Sequence, residues 1–315
     1  MQDDSVDTLP DLTGLSSDDW LAELEDYAEE AGYYEPLGDS HSVVFVDRGP
    51  VLLVTFETVA DARADVRRAL PLGLRMSEGT GYSQLAILAK SHRWFRDPSV
   101  YGYFDRLVDD GFFEDFDRVV FYGAAMCGYA AAAFSVAAPG ATVIAVSPQA
   151  TLDPRIAEWD HRFTGMRRVS FTDRYGYAPD MLEAAERAYV LYDPDEDEDA
   201  MHAALFYRRN VARLRCRGFG RRLAGDLAAM EILKPILKAA CEGRFSEAEF
   251  HRMFRRRRNY LPYLRKLLRR VDDDGRETLA RMLCRNVTGR MRAPLFRRRL
   301  QSLDAGPGSL NEPAQ

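Results

Sequence analysis

The chain has 315 residues, 46% of them apolar, and carries 43 Lys and Arg against 49 Asp and Glu for a net charge of −6. That length supports one large core, or one core with a small appended domain. No apolar run is long enough to cross a bilayer. The acidic N-terminus lacks a basic-then-apolar leader, and four scattered cysteines without a C-x-x-C pair argue against a zinc ribbon, an iron–sulfur site or a disulfide framework, which predicts a cytoplasmic protein.

Charge is unevenly distributed. Residues 1–47 hold fourteen acidic side chains and no Lys or Arg, whereas residues 244–300 hold eighteen basic against six acidic ones. Residues 1–16 are expected to be a disordered acidic tail. Ser17 then caps a helical pattern that ends at Gly32. Val43–Val46 and Val51–Phe56, joined by Asp47-Arg-Gly-Pro50, predict a β-hairpin.

From residue 59 to 240 strand and helix patterns alternate, the signature of a parallel sheet. Strands are predicted at 84–89, 118–122, 142–146, 188–192 and 211–216. Helices are predicted at 59–69, 99–109, 126–138 and 222–240. The strands are continuous apolar runs, as expected where both faces of a sheet are covered. Beyond Gly243 four short basic amphipathic helices follow, and the last dozen residues read as a disordered tail. The expected divisions are therefore 1–16, 17–243, 244–302 and 303–315.

The segment Asp117–Ala131 carries the most information. The strand 118–122 runs into Gly123-Ala-Ala-Met-Cys127-Gly128, and a helix-forming stretch follows at once. A sharp strand-to-helix bend needs small residues two before and two after its tip, because backbone and helix crowd there. Gly123 and Cys127 satisfy this about Ala125. With Cys127 at the tip, one neighbour would be the bulky Tyr129. Ala125 is the favoured tip, and Cys127 the alternative.

This bend resembles the G-x-Ser-x-G nucleophile elbow of the α/β-hydrolase family. The resemblance spans roughly residues 42–240 and includes the strand 142–146 leading to Ser147-Pro-Gln149 and the strand 188–192 leading to Asp193. The implied fold is a three-layer α/β-hydrolase-like, mostly parallel sheet with a C-terminal basic helical extension. The resemblance places the triad acid at Asp193 and the base in Cys216–Arg222, a stretch without histidine where Arg221 or Arg222 stands instead. The nucleophile position is Ala125, and a methyl group cannot attack a carbonyl. The Met126 amide could still supply half an oxyanion hole. The chain is also similar to a set of bacterial, notably alphaproteobacterial, hydrolase-like proteins. It shares with them Trp94-Phe95, the Gly-Tyr-Ala-Ala elbow helix and the Ser-Pro-Gln turn. Some of those proteins are labelled phosphoadenosine phosphosulfate reductase, but the Ser-Gly-Gly-x-Asp-Ser loop that such a name requires is absent.

Ligands of open α/β sheets bind at the carboxyl ends of the strands. That rim is expected to include Gly123, Met126, Gly128, Trp94, Arg96, Ser147 and Gln149, a polar setting for a small polar or anionic molecule. His92 is the best placed of the five histidines to act as a base; as a loop residue beside Lys90 and Arg93 it equally reads as solvent-facing. Ser147 could be a displaced nucleophile, or could cap the following turn. Asp193 either keeps a task or is a remnant paired with Arg221. His41, His161 and His251 lack carboxylate or cysteine neighbours at ligand spacing, so no metal is expected, and no cofactor either. The arginines of 255–270 could meet an acidic partner or nucleic acid. Three functions compete: a non-catalytic hydrolase-like binding protein, an ester or acyl hydrolase with Cys127 or Ser147 as relocated nucleophile, and a nucleic-acid-associated protein.

Overall fold

A computed structural model describes residues 9–305. It divides into a unit reaching Phe250 and a second beginning at His251, seven residues beyond the expected boundary. The first unit holds eight strands: β1 (Gly32–Leu37), β2 (His41–Val46), β3 (Val51–Thr58), β4 (Ser83–Ala89), β5 (Arg118–Ala124), β6 (Thr142–Val146), β7 (Arg187–Tyr192) and β8 (Val211–Arg215). Its helices are α1 (Ser17–Ala31), α2 (Val59–Arg63), α3 (Leu72–Ser77), α4 (Pro98–Asp109), α5 (Met126–Phe134), the single turns α6 (Pro154–Ala157) and α7 (Ala178–Met181), α8 (Asp197–Leu205), α9 (Leu223–Ala229) and α10 (Leu233–Cys241).

One sheet contains all eight strands in the order β1-β2-β4-β3-β5-β6-β7-β8. β2 runs antiparallel to both neighbours, and every pair from β4 onward is parallel. This order, with a bend after β5, makes the protein a three-layer, α/β-hydrolase-like fold. Alternation along the strands gives each face its own core. Val43, Phe45, Leu85 and Ile87 face a cluster with α4 and α5, while Val44, Val46, Ala86 and Leu88 face a second cluster with Trp20 and Leu24 of α1.

The structure corrects the hairpin expected from β2 and β3. These strands do not pair, because β4 lies between them. Turn chemistry at Asp47-Arg-Gly-Pro50 reverses the chain, but the extended apolar β4 takes the ladder positions. β1 was not anticipated; its Gly, Glu and Pro suit an edge strand. The predicted tail is also corrected from residue 9 onward. Leu9 and Leu12 are buried in the α1-side cluster, and the Leu12 amide donates to the Arg68 carbonyl. Residues 1–8 and 306–315 lie outside the described residues. The helix predicted at 222–240 is two helices, broken at Glu231, whose φ is +56°.

The division falls within α11 (Glu247–Phe254). Beyond it come α12 (Leu261–Asp273), α13 (Glu277–Thr288) and α14 (Pro294–Ala305). Leu264, Leu268, Cys284, Val287 and Phe296 form the core of this second unit.

Candidate functional site

Ala125 stands between β5 and α5 with φ +52° and ψ −122°. An alanine in this region of backbone space costs about 1–3 kcal/mol and persists only where its surroundings impose it. The Ala125 amide donates to the Val146 carbonyl at 2.8 Å, and its carbonyl accepts from the Tyr129 amide at 2.9 Å. Gly123 is compulsory: a Cβ built there would lie 2.0 Å from the Cys127 carbonyl oxygen. Gly128 is less crowded, with the Gly123 and Val146 carbonyls at 3.2 Å from a Cβ there. The bend thus centres on Ala125, with Cys127 one step inside the helix.

Asp193 directly follows β7 and is fully buried. Its Oδ1 accepts from the Asp195 amide at 2.9 Å and its Oδ2 from the Gly220 amide at 2.5 Å. Gly220 lies in the loop after β8, where the resemblance puts the triad base, so a backbone N–H faces the carboxylate in place of an imidazole. Arg221 does not pair with Asp193. Its exposed guanidinium reaches Glu196 at 3.2 Å and Glu198 at 3.6 Å. The proposed Asp193–Arg221 pair is therefore corrected: two amides already hold the carboxylate.

Beside the bend lies a cavity of about 820 Å³. Ala124, Ala125 and Cys127 line it from the elbow, Glu57 and Tyr122 from the neighbouring strands, and Ala228 and Leu233 from α9 and α10. β3 and β5 pair with Thr55 opposite Tyr122, so Glu57 sits level with the last residues before the bend. The buried Glu57 carboxylate accepts from the Leu72 amide at 2.8 and 2.9 Å and from Thr55 Oγ1 at 2.9 Å. Burial raises its pKa despite these bonds. Burial also pushes the Cys127 thiol well up, and Asp61 and Glu57 add to the rise, so the thiolate needed for nucleophilic attack is disfavoured.

Several expected rim residues lie away from this cavity. Trp94 and Phe95, both at positive φ, turn into the core, where Trp94 packs edge-on against Tyr129 and Phe163. The Arg96 side chain is almost wholly buried; it ties Asp173 and the Ser170 and Arg174 carbonyls to α5 through Tyr129. Both read as structural supports rather than ligand contacts, because Trp94 packs among aromatic rings and Arg96 is bonded to loop carbonyls, Asp173 and Tyr129. His92 is exposed on its loop. Met126 is buried, as are Ser147 (φ +45°) and Gln149; Ser147 Oγ and Gln149 Oε1 have no hydrogen-bond partner. None of the five histidines lines the cavity.

Sequence reading missed a buried polar network at the β6–α8 end. His202 Nδ1 accepts from the Ala150 amide at 3.1 Å, so the proton sits on Nε2, which donates to Asp160 Oδ2 at 3.0 Å. Arg162 bridges Asp160 at 2.8 Å and Asp199 at 2.6 Å. Burial opposes the Asp160 charge, but hydrogen bonds from His202 and Arg162 hold the carboxyl below the usual range. Burial lowers the His202 pKa. The four side chains bond one another and the Ala150 amide, as expected of a structural network. The acidic run 195–199 starts α8 and sends Asp199 inward to Arg162.

No protein-family profile and no curated protein matches this sequence. Among solved structures it is similar to a glycosylation-associated protein complex of Streptococcus agalactiae, at 14% identity and TM-score 0.44, over 64% of this chain and 44% of that one. It is also similar to an esterase of Pyrococcus furiosus, at 14% identity and TM-score 0.40, over 63% of this chain and 86% of that one. An esterase domain of a Rhodothermus marinus protein aligns at 12% identity and TM-score 0.39, over 64% of this chain and 91% of that domain. The chain spans less than half the length of the first of these. Strand order and the bend, rather than these distant likenesses, carry the fold assignment.

Proposed function

We propose that this α/β-hydrolase-like protein binds a small ligand in the cavity beside the elbow and performs no serine-type hydrolysis. The observation that carries the reading is the methyl side chain of Ala125 at the tip of the bend, facing a cavity that no imidazole lines. A triad works as a unit, and loss of nucleophile and base together removes covalent catalysis. The Met126 amide remains, but the Glu57 carboxyl near the bend disfavours an oxyanion there. The relocated-nucleophile alternative is weakened by the raised Cys127 pKa and by the absence of a hydrogen-bonded base at Ser147 Oγ. Four buried cysteines, none of them in a disulfide, support placing the protein in the cytoplasm.

The test is a panel of p-nitrophenyl esters with two to eight acyl carbons, together with a fluorophosphonate probe. Wild-type protein is expected to hydrolyse none above the buffer rate and to remain unlabelled. Ester turnover that disappears in Cys127→Ala or Ser147→Ala would overturn the reading.

The second unit favours an additional reading, attachment to an acidic partner or nucleic acid. Arg255, Arg258, Arg265 and Arg269 are exposed and hold no carboxylate among the described residues. Guanidinium groups match phosphate geometry, and phosphate binding weakens steeply with salt. The full chain is expected to bind a fluorescent single-stranded 30-mer RNA at 50 mM salt and release it by 200 mM. No binding at 50 mM ends this reading.

A further inference from the structure

The cavity differs between its two ends. At the inner end Glu57 is 7% exposed and Tyr122 5%, and the Tyr122 hydroxyl makes no hydrogen bond among the described residues. The hydroxyl faces the cavity and can both donate to and accept from an occupant. Phe56, Leu72, Ala124 and Ala125 form an apolar middle. At the outer end stand two exposed cations, Arg67 and Lys234. Arg67 makes no bond among the described residues, and Lys234 donates only to the Arg75 carbonyl, at 3.2 Å. Each acid there has a bonding partner, and that of Asp65 is a cation. Asp65 accepts from Arg75 at 2.8 Å, Asp61 accepts from Thr58 Oγ1 at 2.7 Å, and Glu231 has its own partner.

We infer that the cavity takes a chain-like zwitterion, with its anionic group between Arg67 and Lys234, its apolar body along the middle, and its ammonium at Glu57 and Tyr122. This rests on the reading of the cavity as a binding site. An ammonium entering the pocket needs acceptors, and the Glu57 carboxylate has lone-pair capacity beyond the bonds it accepts from Leu72, Gly73 and Thr55 while the Tyr122 oxygen is unused. An anion at the mouth relieves crowding among Lys234, Arg75 and Arg67, whose mutual repulsion, after burial, lowers the Lys234 pKa. A plain fatty anion would leave the inner polar groups dehydrated against methyl groups, and a plain amine would leave the outer cations unanswered.

Isothermal titration of the full chain with 8-aminooctanoate, octanoate and octylamine tests this. The zwitterion is expected to bind about tenfold or more tightly than either single-headed compound, the gain expected from one charged hydrogen-bonding group. Arg67→Ala with Lys234→Ala, both at the surface, should bring 8-aminooctanoate down to the octylamine value. Tyr122→Phe should weaken 8-aminooctanoate and octylamine while leaving octanoate unchanged. Octanoate binding as tightly as 8-aminooctanoate overturns the zwitterion while the binding reading stands. Binding of none of the three overturns it as well. Failure of the underlying reading shows separately, as ester turnover by the wild-type protein.

Discussion

Gly123→Ala is expected to yield no soluble folded protein, a loss on the order of 4 kcal/mol or more. The added methyl would sit 2.0 Å from the Cys127 carbonyl oxygen and 2.8 Å from the Gly128 nitrogen, both backbone atoms of the first turn of α5. Neither can move without releasing the 2.8 Å bond from the Ala125 amide to Val146, which joins the bend to β6. Gly128→Ala meets contacts of 3.2–3.3 Å and is expected to cost about 1–2 kcal/mol. Gly225, within α9, has nothing within 4 Å of a built Cβ, and Gly225→Ala should stabilise by about 0.5–1 kcal/mol. Soluble yield and urea midpoints of the three variants check the order. A soluble Gly123→Ala protein with a wild-type midpoint would mean that the bend lies elsewhere.

The second large effect concerns acid. His41 is fully buried in β2, neither ring nitrogen has a hydrogen-bond partner, and the ring lies 5.2 Å from that of Phe95. Burial, helped by Arg93 and Lys90 and opposed by Asp97, lowers its pKa from 6.5 to about 4. The folded state therefore favours the neutral ring. Its stability contribution is complete above pH 6.5, declines as pH falls below that value, and is gone below about 4. Over this window the loss is about 3 kcal/mol. His41→Leu removes the titrating group and two unsatisfied nitrogens. The variant should gain about 1 kcal/mol at pH 7 and about 2 kcal/mol more at pH 4.5, measured by urea unfolding. His202 shifts in the same direction, so a smaller acid slope remains in the variant. An identical gap between the two proteins at both pH values would exclude His41 as the group responsible.

The bend could be read from the sequence because its requirement is local: three small side chains at a spacing of two, between an apolar strand and alanines. The place of Asp193 directly after β7 could be read for a similar reason, since strand and loop adjoin in the chain. What surrounds them could not. The cavity's outer cations come from the α2–α3 segment and from α10, which meet only after the sheet has formed, and the only local sign of the helix break at Glu231 that places Lys234 is Pro235 in the first turn of α10. Trp94 and Arg96 looked like rim residues because they follow a strand. Two successive left-handed residues, which bulky side chains rarely adopt, fold that loop inward instead. The β2–β3 hairpin was misread because turn chemistry reports a reversal without reporting which strand will lie alongside.

The insertion of β4 between β2 and β3 also bears on how the chain emerges during synthesis. Until residue 89 has been made, Val43–Val46 has only the edge strand β1 beside it, and Val51–Phe56 has no native neighbour at all. Each offers open backbone donors and acceptors to any passing extended chain, or to the other in a wrong ladder. The nascent N-terminal ninety residues are therefore the stretch most in need of shielding by a holdase, and a truncation ending before Ser83 is a poor starting point for expressing this protein in pieces.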